Sequence, residues 1–247
     1  MIRLKLRFDN PGEFLASCGL LYLCDCLYQS RVATGVTLPD RPTAFFKAKG
    51  ELVIKTDLSL NQVLQQLCNS VIVEQNDSVL LLLDDSCKLE LNWWKEKAKS
   101  LKWGGHNTPL EIVQKLLNEI RRQILKFSGD FFSRIPLSTY FGLDALNPLR
   151  KTGYNPRDAG CKIAISPTVE LLGAIGLQYF YFRWRNAGFC YSVWGEDSYS
   201  LPLEIAKLAS AGLIEPALLA EFEAKISLIG SVKVLQWATR KTLRVGE

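Results

Sequence analysis

Two ten-residue stretches far apart in the chain are near copies: residues 13–22 read EFLASCGLLY and residues 170–179 read ELLGAIGLQY. Glu, Leu, Gly, Leu and Tyr coincide, and small residues stand at 16/17 and 173/174. Each copy follows a short strand-like run and opens on a polar cap and a proline, Asn10-Pro11 in one and Ser166-Pro167 in the other. Such a cap satisfies orphan N–H groups, and proline at the first helical position forfeits no hydrogen bond. Both stretches therefore read as helices. A glycine inside a helix costs about 0.5–1 kcal/mol relative to alanine, and close helix contact offsets that cost. Ala16/Gly19 and Gly173/Gly176 form small faces suited to such contact. The expected fold is α+β: two strand–helix halves with a weak internal repeat, packed into one body.

The remaining pattern fills in these halves. Ile2 to Phe8 alternates apolar with basic residues, as a half-buried strand does. Strands are expected at Ala44–Lys47 and Leu52–Thr56, and near Val71–Glu74, Val79–Leu83 and Lys88–Leu91, with Asn76-Asp77 as a turn. Ser59 to Gln62 is a capping box, and Thr108-Pro109-Leu110-Glu111 is another, ahead of apolar residues at helical spacing (Ile112, Val113, Leu116, Leu117, Ile120, Ile124). From Pro136 to Gly160 periodicity vanishes among turn formers. Residues 1–135 thus form an N-terminal α+β half, 136–160 a basic connecting loop and 161–247 a C-terminal α+β half. The latter holds strands at Lys162–Ile165, Phe189–Val193 and Val232–Trp237, and helices over about Pro167–Phe182 and Leu201–Ala211.

At 48% hydrophobic, 22% charged and a net charge of +5, the 247 residues describe an ordinary globular chain that permits a polyanionic partner without demanding one. Seven cysteines make no CxxC and the chain has one histidine, so zinc-ligand spacing is lacking. Free buried thiols in a reducing cytoplasm are the simplest account. No apolar run reaches bilayer length and no signal peptide is recognisable, so a cytoplasmic protein without membrane contact is expected. Neither GxxxxGK[ST] nor GxGxxG occurs. Asp84-Asp85 reads better as a solvated turn than as a metal site. No cofactor, metal or catalytic residue is assigned.

Binding features are richer. Between Leu91 and Leu117 the chain reads LNWWKEKAKSLKWGGHNTPLEIVQKLL, with Trp93, Trp94 and Trp103 interleaved with Lys95, Lys97, Lys99 and Lys102. Lysines neutralise phosphates, and exposed tryptophans stack on unpaired bases at roughly 1–3 kcal/mol each. The alternative is that the rings are core anchors and the lysines a solvated helix face. Gly104 and Gly105 let a backbone approach a phosphate, and Asn107 offers an amide for base or phosphate recognition. His106 is the one imidazole available for acid–base work. The loop Arg150, Lys151, Tyr154, Arg157 offers cations and a ring. FYFRWRN (Phe180 to Asn186) sets Arg183 and Arg185 among aromatic rings, or else is the exposed end of an amphipathic helix. Lys102–Asn107, Arg150, Lys151, Tyr154, Arg157, Arg183 and Arg185 are the candidate nucleic-acid contacts. Trp194 and Trp237 read as core.

Four blocks, NPGEFLASCGLLYLCD, WW…LKWGGHN, FGLDAL…GYNPRDAG…PTVELLGAIGLQYF and YSVWGEDSYSLPLEIAK, resemble in their order a small CRISPR-associated family of type I-U (also I-G) loci. The resemblance covers nearly the whole chain. It implies a large-subunit-like component of a Cascade-type complex, in which base pairing reads the target, protein holds the backbones and the large subunit senses a short flanking duplex motif. The family pattern has Trp-Ala-Gly-Gln-Gln where this chain has Trp103-Gly104-Gly105-His106-Asn107, and Phe-Phe where this chain has Phe14-Leu15. His106 thus stands where the family has an amide, which weakens a catalytic role. The expectation is a non-catalytic subunit binding guide RNA, target DNA or both, alongside other effector subunits. A guide-trimming endoribonuclease using His106 and a protein-only scaffold are the alternatives.

Overall fold

In the computed structural model, residues 1–37, 40–101, 107–125, 132–144, 163–185, 188–195, 199–214, 218–229 and 232–241 are described. Strand β1 (Ile2–Lys5) opens the chain, with Ile2 buried and its basic neighbours outward. Asn10 caps helix α1 (Pro11–Ala33), its side-chain Oδ1 accepting from the N–H groups of Gly12 and Glu13 at 3.0 and 3.4 Å. The hairpin β2 (Thr43–Lys47) and β3 (Glu51–Lys55) follows, then α2 (Leu60–Asn69) behind its Ser59–Gln62 capping box. Strands β4 (Val71–Gln75) and β5 (Ser78–Leu82) flank Asn76 and Asp77, at φ 50° and 57°, a left-handed turn that these two residue types tolerate. Next come β6 (Lys88–Leu91), a 3₁₀ turn at Lys99–Leu101, and α3 (Pro109–Leu125). Strands β7 (Ile135–Leu137) and β8 (Ile163–Ile165) pair with each other and precede α4 (Pro167–Tyr179). The chain continues through β9 (Arg183–Arg185), β10 (Gly188–Trp194), β11 (Leu201–Pro202), α5 (Leu203–Ser210), β12 (Leu218–Ile229), β13 (Val232–Leu235) and β14 (Thr239–Lys241).

The fold is mixed α+β with several small antiparallel sheets. One runs β1-β3-β2-β11, so a strand from the C-terminal part completes a sheet begun at the N-terminus. Another runs β13-β12-β10-β9, with β14 beside β12, and the third is β4-β5-β6. Against the third sheet lies α3, with α2 packed on α3, and together they bury Val63, Leu67, Ile112, Leu116 and Ile120.

The repeated helices α1 and α4 pack directly on each other. A Cβ on Gly19 would stand 2.0 Å from the Leu172 carbonyl oxygen, and one on Gly176 would stand 2.0 Å from the Leu15 carbonyl oxygen. The relation is reciprocal, and Tyr22 stacks on Tyr179 with ring centroids 3.8 Å apart. Contact points advance in the same direction along both helices, so the pair runs parallel about a local two-fold axis. Both helices are buried on nearly every side, which explains why neither has a polar stripe.

Several expectations need correction. Cys26 and Cys87 form a disulfide (Cα–Cα 5.6 Å), because α1 passes beside the β5–β6 connection; buried free thiols hold for Cys18, Cys24, Cys68 and Cys190. Helix α4 stops at Tyr179, where Phe180 turns extended, and not near Phe182. The stretch expected as loop from Pro136 begins inside β7, and Tyr140 to Asp144 is buried. Among the described residues no helix is long and apolar enough to cross a membrane.

Candidate nucleic-acid interface

The tryptophan–lysine segment is built largely into the fold. Leu89 and Leu91 point inward from β6, and Trp93 continues that alternation to complete burial, with Trp94 4% exposed. The two indoles meet edge to face at 5.5 Å and enclose Phe141, and Trp94 Nε1 donates to the Asp77 carbonyl at 3.1 Å. Neither ring is a stacking platform for a base. They are core anchors, the alternative raised above.

The lysines do not line a helix, since residues 93–98 form successive turns. Lys95 Nζ donates to the Asn76 carbonyl and, at 3.3 Å, to Ser78 Oγ. Lys97 Nζ donates to the carbonyls of Gln178 and Phe180, each at 2.6 Å. It therefore caps the negative end of α4, where terminal carbonyls lack helical partners. Burial pushes its ammonium down to about 8, with Lys207 adding repulsion. Lys99 alone of these three is exposed.

Lys102, Trp103, Gly104, Gly105 and His106 lie outside the described residues, as do Arg150, Lys151, Tyr154 and Arg157. Asn107 is exposed just ahead of α3. There the capping box is complete: the Thr108 N–H donates to Glu111 Oε2 at 2.8 Å and the Glu111 N–H to Thr108 Oγ1 at 3.2 Å. The Glu111 carboxylate thus already occupies the helix N-terminus, and a phosphate there would meet like charge.

Arg183 and Arg185 do share a face, that of strand β9, where they stand opposite Cys190 and Gly188 of β10. The end of a helix, offered as the alternative, is excluded. Arg183 pairs with Glu221 of β12, and Arg185 is held above its usual range by the Cys190 thiol, with Glu223 contributing. Phe180 and Phe182 are buried and Trp184 is half-buried against Phe189, so Tyr181 is the most open ring of the segment. With Lys241 bound to Glu223, this sheet face carries alternating charge and no purely cationic strip.

Sequence reasoning missed a polar junction at the N-terminal ends of α1 and α4. Glu170, wholly buried, accepts four backbone N–H groups: Phe141 and Gly142 on Oε2 at 2.7 and 2.9 Å, Leu143 and Asp144 on Oε1 at 2.8 and 2.7 Å. Burial nonetheless pushes its carboxyl up to about 7 against those donors, and Asp144 adds to the rise. Asp144 receives the Ser166 N–H (3.1 Å), Arg134 (2.7 Å) and the Asn10 amide (3.0 Å). That same Asn10 amide reaches Glu13, which also holds the Arg7 N–H at 2.7 Å. Glutamate at matching places of the repeat, Glu13 and Glu170, was the available signal. Every oxygen in this set is engaged, so its chemistry is structural: it locks the 141–144 backbone onto α4 and α4 onto α1.

The described residues that precede the two cationic segments in the chain lie near one strand. Leu101, the last described residue before 102–106, ends a 3₁₀ turn packed on β13. The same β13 receives the 141–144 strip, the Leu235 N–H donating to the Gly142 carbonyl at 2.9 Å, and residues 145–162 follow directly. Among the described residues no cluster of His, Cys, Asp and Glu could hold a metal. Asp84 accepts from the N–H groups of Ser86 and Cys87 at 2.9 and 2.7 Å, an Asx turn.

No protein-family profile, curated protein or solved structure matches this chain.

Proposed function

We propose that this chain is a non-catalytic subunit of an RNA-guided, type I, Cascade-type CRISPR effector complex of the I-G-like kind, contacting guide RNA or target DNA. The system is read from the ordered sequence blocks. Two of the four, the NPGEF block and the block running from FGLDAL to PTVELLG, supply most of the polar junction: Asn10 and Glu13, Phe141 to Asp144, and Glu170. The observation that carries the nucleic-acid role is the common anchorage at β13. Leu101, which precedes Lys102, Trp103 and His106 in the chain, and Gly142, which lies shortly before Arg150, Lys151, Tyr154 and Arg157, both meet that strand. Cations on two such segments, acting jointly, would neutralise one stretch of phosphates. Arg183 and Arg185 contribute less, because carboxylates already face them. As part of such a particle the chain works in the cytoplasm, beside the other effector subunits.

The test is a salt titration of guide-RNA binding by the particle assembled with and without this chain. Affinity that falls more steeply with salt when the chain is present supports the reading. Identical salt dependence favours the scaffold alternative. One observation speaks for that alternative: the outer face of the β4-β5-β6 sheet shows Val71 and Val73 to solvent, 61% and 39% exposed.

A further inference from the structure

We propose that two copies of this chain pair edge to edge through β4, antiparallel and centred on Val73. Among the described residues β4 pairs with β5 alone. The two-residue turn fixes the register Gln75 to Ser78, Val73 to Leu80 and Val71 to Leu82. These are the pairs that exchange hydrogen bonds in such a hairpin, so the N–H and C=O groups of Ile72 and Glu74 point away from β5. Natural edges are blunted by lysine, proline or a bulge, because an open row of donors and acceptors recruits another strand. Val-Ile-Val-Glu-Gln contains neither lysine nor proline, and its register is unbroken. Beside the exposed Val71 and Val73, Leu82 and Leu80 lie on the same face, half-buried.

The edge is self-complementary in one register. A two-fold axis at Val73 sets Ile72 against Glu74 of the second copy and Glu74 against Ile72 of the second copy. Both outward-facing residues then exchange their backbone bonds. The one charge on the strand meets an apolar residue and not its own image. An axis at Glu74 would oppose two carboxylates. An axis at Ile72 would set Glu74 against Ser70, whose N–H already donates to Leu67. The Val73-centred pairing therefore leaves neither an opposed charge nor a spent donor, and joins the two sheets into one of six strands.

The pairing is tested on the full chain by light scattering and sedimentation over a wide dilution series. The expected result is a dimer that dissociates on dilution. Val73→Lys, at a solvent-facing position, sets two like charges opposite each other and weakens dimerisation by about tenfold or more, with an unchanged circular dichroism spectrum. Val73→Cys yields a covalent dimer under mild oxidation, because directly opposed non-hydrogen-bonded residues lie at about 4.5 Å Cα–Cα, within disulfide reach. A wild-type chain that stays monomeric at every concentration overturns the proposal and leaves the edge to a strand of another protein. A dimer untouched by Val73→Lys, with no cross-link through Val73→Cys, overturns it equally. Neither outcome bears on the salt dependence of RNA binding.

Discussion

Gly19 and Gly176 illustrate how one hydrogen atom decides the architecture. Alanine ordinarily stabilises a helix interior relative to glycine by about 0.5–1 kcal/mol. Here the added carbon would sit 2.0 Å from a backbone carbonyl oxygen of the other helix, which no rotamer change relieves. Gly19→Ala or Gly176→Ala therefore destabilises by about 3 kcal/mol or more, read as a lower denaturant midpoint. Glu170 gives a second test at this scale. Its carboxyl is raised from 4.5 to about 7 by burial, with Asp144 adding to the rise. The folded state therefore holds a proton that the unfolded chain releases near 4.5. That contribution is fully present below about pH 4.5 and fades as pH rises to about 7, by ~3 kcal/mol in all. Comparing wild type with Glu170→Gln across that window isolates the slope.

At the scale of elements, charge and covalent links set which helices hold their place. Lys97 ties the 93–98 turns to the C-terminus of α4. Lys97→Ala costs about 1–2 kcal/mol of stability by leaving two carbonyls unpaired, and leaves RNA affinity unchanged. A loss of RNA binding without loss of stability would make Lys97 a contact and not a cap. The Cys26–Cys87 bond closes a separation of 61 residues, so Cys26→Ser lowers stability by about 2–4 kcal/mol under oxidising conditions. With reductant present, wild type and variant should converge. Elements with a strong local signal were legible in the chain: β1 by alternation, α1 by its Asn-Pro cap, the β4–β5 hairpin by its turn residues and α3 by its cap and helical spacing. Strand β12 was not anticipated, although Ala220, Phe222 and Ala224 alternate with Glu221, Glu223 and Lys225. Alanine, glutamate and lysine are strong helix formers, and only pairing with β10 and β14 overrides that preference.

For the whole molecule, proximity in sequence proved a poor guide to a shared surface. Trp93 beside Lys95 and Lys97 has the composition of a base-stacking strip, yet the ring fills the core and both ammonium groups are spent on backbone carbonyls. Cations and rings alternate in this way on any strand or turn that is buried on one side, so the pattern alone cannot separate a binding face from a half-buried one. What tertiary structure adds is the partner of each charge, and the nucleic-acid proposal now leans on Lys102 and, in the loop, on the three cations Arg150, Lys151 and Arg157. Each phosphate neutralised on a single strand contributes about 0.7 to the slope of log affinity against log salt. Replacing these three residues by alanine in the assembled particle should flatten that slope by about 2. The charge-neutral pair Arg183→Ala with Glu221→Ala should leave it unchanged, since that arginine is already matched by its carboxylate. An unaltered slope in the triple variant would remove the loop from the interface. A slope flattened by the double variant would instead move the contact to the β9–β12 face.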